Sequence, residues 1–348
     1  MELKNRPINI NITTATILKV IVIFLILYFL FLIKDILAVL FVALILASAV
    51  DPWVDWMQKR KIPRALGVLF IYLVFFIVLS SVIYLIIPPI VKEVGELASN
   101  FPKILDKIMV GFSAFRDYTV QHGVLDSVKE SLGTISSNLQ TAATGVFSTV
   151  TGIFGGIFSF FLVLVLTFYM IVEENAIKKL IFSIAPVQHQ PYIMQLINRM
   201  QKKIGMWLRG QLILSLIIFI LTYAGLSILG IEYALVLALI AGLTEFIPYL
   251  GPILAAIPAV FLAFTQAPML AIFVAALYYI IQLVENNILV PKIMQKAVGL
   301  NPIISIAVLL MGFKIAGVIG AILSIPVATA ISVFVKDIFD GKEAENRK

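Results

Sequence analysis

The sequence predicts an all-α membrane protein with several spans, and three observations support that prediction. Of its 348 residues, 61% are apolar or aromatic and 13% are charged, against a charged fraction of ~25% in soluble domains. The apolar residues lie in ten runs that are continuous instead of alternating, which favours transmembrane helices over a β-barrel. Only two charged residues, Lys19 and Glu245, fall inside these runs, and a bilayer imposes such segregation.

Run length separates full spans from shorter pieces, because a helix needs ~20 residues to cross ~30 Å of hydrocarbon. The ten runs cover residues 17–33, 36–50, 65–87, 151–172, 210–229, 233–247, 252–266, 269–284, 302–313 and 315–335. We predict about five full spans and three helical hairpins, made by the first and second, the sixth and seventh, and the ninth and tenth runs. The last two hairpins have short arms, so we expect them to re-enter the membrane from one side.

Loop charge predicts the orientation of these helices. Segments 51–64 and 173–209 are rich in Lys and Arg, whereas segment 88–150 holds more acidic than basic residues. Because basic loops stay in the cytoplasm, we place the first two segments inside and 88–150 outside. With both termini also cytoplasmic, the number of crossings closes only if all three hairpins form.

The chain divides into five parts by the same reasoning. They are N-terminal membrane helices (1–87), an extracytoplasmic helical arm (88–150), a membrane helix with a helix in the cytoplasmic headgroup layer (151–209), a core with two hairpins (210–335) and a cytoplasmic tail (336–348). The arm has apolar residues every three or four positions. We expect it to pack against itself or a neighbouring subunit, and a partner-binding groove is the alternative.

The sixth and seventh runs are joined by a stretch, 244–252, that cannot be helical throughout. In a continuous helix Pro248 would clash with the carbonyl of Thr244, and Pro252 with that of Pro248. Unpaired carbonyls at membrane depth are tolerated only inside protein or beside a watery cavity. The break therefore predicts a cavity at the hairpin tip, with room for a ligand.

The second hairpin of the core, 302–335, has its bend at Lys314, and its second arm echoes the first hairpin. The string GPILAAIP at 251–258 compares with GAILSIP at 320–326. In the predicted topology the first hairpin enters from outside and the second from inside, each beside one full span. Two units of opposite orientation are typical of the inverted repeats of secondary transporters.

Several short strings resemble a known family. They are EFIPYLGP at 245–252, ENNILVPK at 285–292, GLNP at 299–302, GVIGA at 317–321 and IP at 325–326, together with IPR at 62–64 and IAP at 184–186. The chain resembles the autoinducer-2 exporter family of bacterial inner-membrane proteins, also called PerM-like permeases. The resemblance implies a multi-span permease of that membrane. Some members are assigned autoinducer-2 export, and others sodium or lithium exchange for protons.

Glu245 is the first choice for a transport residue, because a carboxylate is costly in hydrocarbon and typically serves cation or proton binding there. If both arms cross fully, Glu245 would instead be a solvated acid at the cytoplasmic interface. Glu285 follows the run 269–284 and stands beside Asn286 and Asn287, which can hydrogen-bond a ligand. The alternative is that these three polar residues end a helix at the interface.

Other residues near the two tips complete the predicted substrate or ion site. Lys314 can pair with a carboxylate or an anionic substrate, or it can extend from the bend to the interface. Tyr249 and Gln282 can donate to a hydroxylated ligand, although an interfacial Tyr is often only an anchor. The helix that begins at Pro252 points its positive end at the tip. The remaining members are the backbone groups of Thr244, Pro248 and Gly251.

Composition excludes several classes of function. The chain has no Cys and only two His, so we expect neither a Cys-ligated metal nor a His-rich metal site, and no cofactor. It has no phosphate-binding Gly-rich loop and no clustered nucleophile, which argues against ATP hydrolysis and against an enzyme. The net charge of +7 is expected on cytoplasmic loops and not at a nucleic-acid interface.

These inferences together predict a secondary transporter. We expect the protein to be a homo-oligomer in the bilayer. It would export a small polar solute such as autoinducer-2 by gradient-driven alternating access. A sodium or lithium/proton antiporter is the alternative, and a non-transporting oligomeric membrane scaffold is a second alternative.

Overall fold

The computed structural model describes residues 14–111, 157–173, 182–183, 185–294 and 301–346. Every regular element in these ranges is helical, which confirms the all-α prediction. The helices are α1 Thr14–Leu32, α2 Lys34–Lys59, α3 Arg64–Gly111, α4 Ile157–Val172, α5 Gln190–Ile228, α6 Ala234–Thr244, α7 Leu250–Gln266, α8 Pro268–Val284, α9 Val290–Met294 and α10 Pro302–Asn346. A 3₁₀ turn, Val187–His189, precedes α5, and a π-helical turn, Glu285–Leu289, joins α8 to α9.

Five segments are long and apolar enough to cross a membrane. They are Lys34–Lys59, Arg64–Ser81, Val187–Ile228, Pro268–Met294 and Ile303–Phe339. Large apolar side chains along these helices are exposed, as a lipid solvent permits and water does not. The chain is therefore a polytopic helical membrane protein, as the run lengths predicted.

Helix α5 lies at the centre of the fold. It packs against α2, α6, α8, α9 and the C-terminal part of α10. Its buried apolar residues include Ile204, Trp207, Leu214, Ile218 and Leu226, which belong to the largest apolar cluster of the described residues. One long helix thus positions both C-terminal hairpins.

The N-terminal hairpin that was predicted from the runs 17–33 and 36–50 is wrong. Only Ile33 departs from helical backbone between α1 and α2, with φ −97° and ψ 11°. The amide of Ile33 still donates to the carbonyl of Phe29, and the amide of Leu37 donates to the carbonyl of Ile33. The chain bends there without reversing, because Lys34 and Asp35 interrupt the apolar run but not the helix. Two cytoplasmic termini require this hairpin in the predicted topology, so the placement of the termini stays a prediction.

Two other boundaries that charge had suggested are also continuous helix. Residues 193–207 belong to the same helix as the apolar run 210–229, with Ile204 and Trp207 buried against α2. The separate headgroup-layer helix is therefore not found. Helix α3 continues from its span into the predicted external arm as far as Gly111, and the rest of the arm lies outside the described residues.

The two C-terminal hairpins of the core do form. Helices α6 and α7 pack on each other through the turn 245–249. Helix α10 is broken at Ala316 and Gly317, just past the predicted Lys314. Its two arms meet so closely that a Cβ atom on Gly320 would collide with the carbonyl oxygen of Gly312. Re-entry into the membrane and the inverted repeat stay predictions.

The contacts of charged and polar residues show that the helix ends lie on two faces of the protein. Arg64 pairs with Asp51 and Asp55 and donates to the carbonyl of Ile171, so the ends of α2 and α4 meet the start of α3. We call this the basic face; it also holds Lys202 and Arg209 of α5. The basic segments that the sequence predicted to be cytoplasmic thus share one face of the protein.

The opposite face holds the start of α6. The carboxylate of Glu93 in α3 accepts a hydrogen bond from the amide of Val236 at 3.1 Å. The side-chain amide of Asn100 donates to the hydroxyl of Tyr233 at 3.4 Å. The end of α3 away from the basic face therefore touches the start of the hairpin α6–α7. The predicted topology places this end on the outer side, which stays a prediction.

Candidate functional site

Two acidic residues of the predicted substrate or ion site form a buried pair, although 40 positions separate them in the chain. Glu245 directly follows α6 and is 2% exposed, and Glu285 directly follows α8 and is 6% exposed. Their carboxyl groups lie close enough to interact with each other, and the side chain of Gln282 lies near Glu285. The structure thus brings together three of the residues proposed from the sequence. We call Glu245 and Glu285 the carboxyl pair.

A π-helical turn positions Glu285. Pro291 has no amide hydrogen, and its ring would clash with the carbonyl of Asn287 if α8 continued as a regular helix. The backbone widens instead into the π turn Glu285–Leu289, whose last bond runs from the amide of Val290 to the carbonyl of Glu285. Such π turns are frequent at functional sites. This one leaves Glu285 buried while Asn286 and Asn287 are exposed.

Two polar residues of α5 hold the end of α6, and sequence reasoning missed both. The side-chain amide of Gln211 donates to the carbonyl of Glu245 at 2.7 Å, and the hydroxyl of Ser215 donates to the carbonyl of Gly242 at 2.5 Å. These carbonyls lack helical partners because α6 stops at Thr244. The available signal was the spacing of four between Gln211 and Ser215 in an otherwise apolar run, which places them on one helix face.

The turn at the tip satisfies its own carbonyls more fully than the sequence suggested. The carbonyl of Thr244 accepts from the amide of Ile247, and the carbonyl of Pro248 accepts from the amide of Leu250, both at 2.8 Å. Tyr249 has φ 66°, an unusual value for a residue with a side chain. The helix does break where the prolines predicted, but the broken ends close a tight turn instead of leaving free oxygens for an ion.

Two buried hydroxyls lie on the helices that flank the carboxyl pair. Thr222 of α5 is 0% exposed and Tyr278 of α8 is 8% exposed. Within the described residues neither hydroxyl has a hydrogen-bond partner, and the same holds for the Oε2 atom of Glu245. Tyr278, Gln282 and Glu285 follow one another at spacings of four and three, so they share one face of α8. Buried polar atoms without protein partners are typical of places that hold water or a ligand.

The side chains of the other predicted site residues are mostly exposed or hydrogen-bonded within their own helix. Lys314 is exposed and makes no ion pair with any part of the chain that the structure describes. Tyr249 is also exposed, and the Thr244 hydroxyl donates to the carbonyl of Ile240 in its own helix at 2.8 Å. Pro252 lies in the first turn of α7, behind Gly251. Across the described ranges no three His, Asp or Glu side chains are grouped so that they could hold a metal ion.

The register of α5 gives the depth of the pair. Gln211, which holds Glu245, lies about 25 Å along α5 from Ile228 at ~1.5 Å per residue. It is two positions from Arg209, which lies on the basic face. Glu245 therefore lies closer to the basic face than to the middle of the apolar segment. It is nevertheless buried, so it is not the solvated interfacial acid that the sequence analysis gave as the alternative.

Apolar helices around a buried polar pair at two broken helix ends are typical of membrane transport proteins. The family model described as AI-2E family transporter matches residues 17–340. The chain belongs to that family, which confirms the resemblance seen in its short strings.

This chain is similar to several named relatives over most of its length and most of theirs. It is 25% identical to "Putative transport protein YrrI" of Bacillus subtilis, covering 86% of each chain. It is 26% identical to "AI-2 transport protein TqsA" of Escherichia coli, covering 86% of this chain and 85% of the relative. It is 25% identical to a "Sodium-lithium/proton antiporter" of Halobacillus andaensis, covering 82% and 84%. The relatives therefore agree on transport but carry different substrates in their names.

Proposed function

We propose that this protein is a gradient-driven secondary transporter in which the carboxyl pair is the coupling site. The observation that carries the proposal is the burial of Glu245 against Glu285, without a Lys or Arg ion-pair partner among the described residues. Carboxyl groups inside a membrane protein are costly and usually serve ion or proton movement.

Electrostatics explains how such a pair would couple transport to a gradient. Two carboxylates in contact and away from water repel each other strongly, so both cannot stay charged without compensation. A proton or a monovalent cation would supply that compensation. Because the compensating ion can enter from one side and leave to the other, its gradient can drive a second solute.

The packing around α6 indicates which contacts would change during alternating access. Helices α6 and α7 form one hairpin, and α5 holds the end of α6 through Gln211 and Ser215. Movement of this hairpin relative to α5 would break those two bonds and open the carboxyl pair. The proposed cycle alternates between this closed arrangement and one in which the pair meets water.

A small polar solute such as autoinducer-2 is the first candidate for cargo, moved outward. The hydroxyls of Thr222 and Tyr278, buried without partners in the described structure, would meet a hydroxyl-rich ligand with unused hydrogen-bonding groups. The similarity to an AI-2 transport protein supports the same class of cargo. The protein would work in the bacterial inner membrane as a homo-oligomer, with its basic face in the cytoplasm.

Sodium or lithium exchange for protons is the second candidate. The carboxyl pair supports it directly, because hard monovalent cations prefer oxygen ligands and compete with protons for carboxylates. The similarity to a sodium-lithium/proton antiporter supports it as well. In that case the cation would itself be the transported solute.

Proteoliposomes with the purified full chain test both candidates. With a pH-sensitive dye inside, we expect autoinducer-2 flux to change the lumenal pH, and Glu245→Gln to abolish both flux and pH change. Glu232→Gln is the matched control, since Glu232 is an exposed acid in the turn before α6. A pH change with sodium alone would favour the antiporter. Coupled flux that survives Glu245→Gln unchanged would remove the pair from the mechanism, and no flux of either kind would favour the scaffold.

A further inference from the structure

A cavity lies on the basic face, on the other side of α5 from the carboxyl pair. Its volume is about 660 Å³, and it is lined by α2, α4, the start of α3 and the first half of α5. Arg209 lines this cavity, whereas Gln211, two positions on, points to Glu245. Residues two apart in a helix face nearly opposite directions. The cavity is therefore separate from the proposed coupling site.

Three acidic residues line this cavity, Asp51, Asp55 and Glu173, and the first two pair with a cation that also lines it. Arg64 contacts both Asp51 and Asp55 and donates to the side-chain oxygen of Gln58 and the carbonyl of Ile171. A planar guanidinium with several donors suits this arrangement. The ends of α2, α3 and α4 are thus bound together, and Asp51 and Asp55 are committed to that contact.

Two further cations, Lys202 and Arg209 of α5, line the same cavity. Lys202 and Arg209 are seven positions apart on α5, which places them on the same helix face. Arg209 is half-buried, and its guanidinium donates to the carbonyl of Ala49 at 3.2 Å. Within the residues that the structure describes, neither side chain forms an ion pair with a carboxylate. Two cations facing one cavity leave donors directed at an anion.

The remaining walls suit a small organic ligand. Met170, Met194 and Met206 supply flexible apolar surface, and Asn198 and Gln201 supply neutral hydrogen-bonding groups. The volume lies inside the range of ~300–1,000 Å³ that is typical of small-molecule sites. Such walls fit a molecule with an anionic group at one end and apolar atoms at the other.

We propose that this cavity binds a ligand through a phosphate or carboxylate group held by Lys202 and Arg209. The apolar part of the ligand packs against the three methionines. Two sources carry this chemistry, an anionic phospholipid headgroup from the adjacent leaflet and a soluble anionic metabolite from the aqueous side. The site does not depend on the transport proposal, because none of the residues that line the cavity belongs to the carboxyl pair.

Binding to the purified full chain tests the proposal and separates the two sources. One arm titrates inorganic phosphate against the detergent-solubilised protein at constant ionic strength. The other compares nanodiscs of phosphatidylglycerol with nanodiscs of phosphatidylcholine, and native mass spectrometry counts retained lipid. We expect saturable binding in one arm, weakened about tenfold by Lys202→Gln and further by Lys202→Gln combined with Arg209→Gln.

Lys203→Gln is the matched control, because it removes the neighbouring positive charge from a residue that does not line the cavity. It should leave binding unchanged. Lys202→Gln alone changes an exposed side chain, so the test does not depend on the folding of the double variant. Absence of saturable binding in both arms, or equal loss with Lys203→Gln, would overturn the proposal.

Discussion

The two C-terminal hairpins share a way of packing but differ at their tips. In each, a glycine of the second arm presses on a carbonyl of the first: Gly251 on Thr244, and Gly320 on Gly312. Gly251 and Gly320 are also the first residues of the two similar strings found in the sequence. A side chain at either position would push the arms apart, so close backbone contact is a shared structural requirement.

The tips differ in what they present. The first carries Glu245, which is buried and whose carbonyl is held by Gln211 of α5. The second bends at Ala316 and Gly317, has φ 61° at the glycine, and presents an exposed Lys314. The comparison indicates that the first tip buries its ionisable group, whereas the second leaves its ionisable group exposed. We therefore expect transport chemistry at the first tip and mainly structural requirements at the second.

The largest expected effect comes from removing a carboxylate of the carboxyl pair, and it contrasts with removal of the charge at the second tip. Glu245→Gln and Glu285→Gln should each lower coupled flux by at least about a hundredfold. The double variant should be no worse than either single one, because residues that act as a unit are not additive. Lys314→Gln should keep flux within about twofold of the unmodified protein. Initial rates in proteoliposomes measure all four; a loss with Lys314→Gln equal to that with Glu245→Gln would end the distinction between the tips.

The next effect tests what the hairpins have in common. Gly251→Ala and Gly320→Ala should each lower the free energy of unfolding by about 1–3 kcal/mol, because the new methyl group meets a backbone carbonyl that cannot move alone. Gly95→Ala is the control, since a Cβ atom there meets nothing within 4 Å. Thermal unfolding in detergent gives the order. If Gly320→Ala is tolerated as well as Gly95→Ala, the two arms of α10 are not in close contact.

Much of this contrast could be predicted from the sequence. Run length and continuity indicated helices, because the bilayer fixes how many apolar residues a span needs. The prolines of 244–252 predicted the break after α6, since ring geometry forbids a regular helix whatever the tertiary contacts are. Glu245 and Glu285 were both expected to matter, but their contact was not predicted, because it depends on how α6 and α8 pack.

The N-terminal hairpin and the separate headgroup-layer helix were both predicted wrongly for one physical reason. A change in polarity along the chain does not by itself end a helix. Charged residues at 34–35 and at 209 interrupt apolar runs, yet Lys, Asp and Arg all fit within a helix. The chain therefore stays helical through both places. Conversely, Gln211 and Ser215 carry no charge, so the charge pattern does not single them out, although they hold the end of α6.

A smaller effect tests the anchor that only the first tip has. Gln211→Leu should cost about 1–3 kcal/mol of unfolding free energy, because it leaves the carbonyl of Glu245 buried without its donor. It should also lower flux less than Glu245→Gln does, since the carboxyl pair itself is kept. Gln195→Leu makes the same change at an exposed position of α5 and serves as the control. Equal stability of the two variants would show that the hydrogen bond to Gln211 does not hold the tip.

The smallest effect concerns the link between α5 and the end of the second hairpin. Both nitrogens of the Arg199 guanidinium contact the carboxylate of Asp337, one pair at 2.8 Å. Because this ion pair faces solvent, salt and water weaken it. Asp337→Asn should therefore leave the thermal midpoint nearly unchanged at high salt and lower it slightly at low salt. A large loss of stability at both salt concentrations would mean that this end of α10 is held as firmly as the first tip, and the contrast between the hairpins would then rest on Glu245 alone.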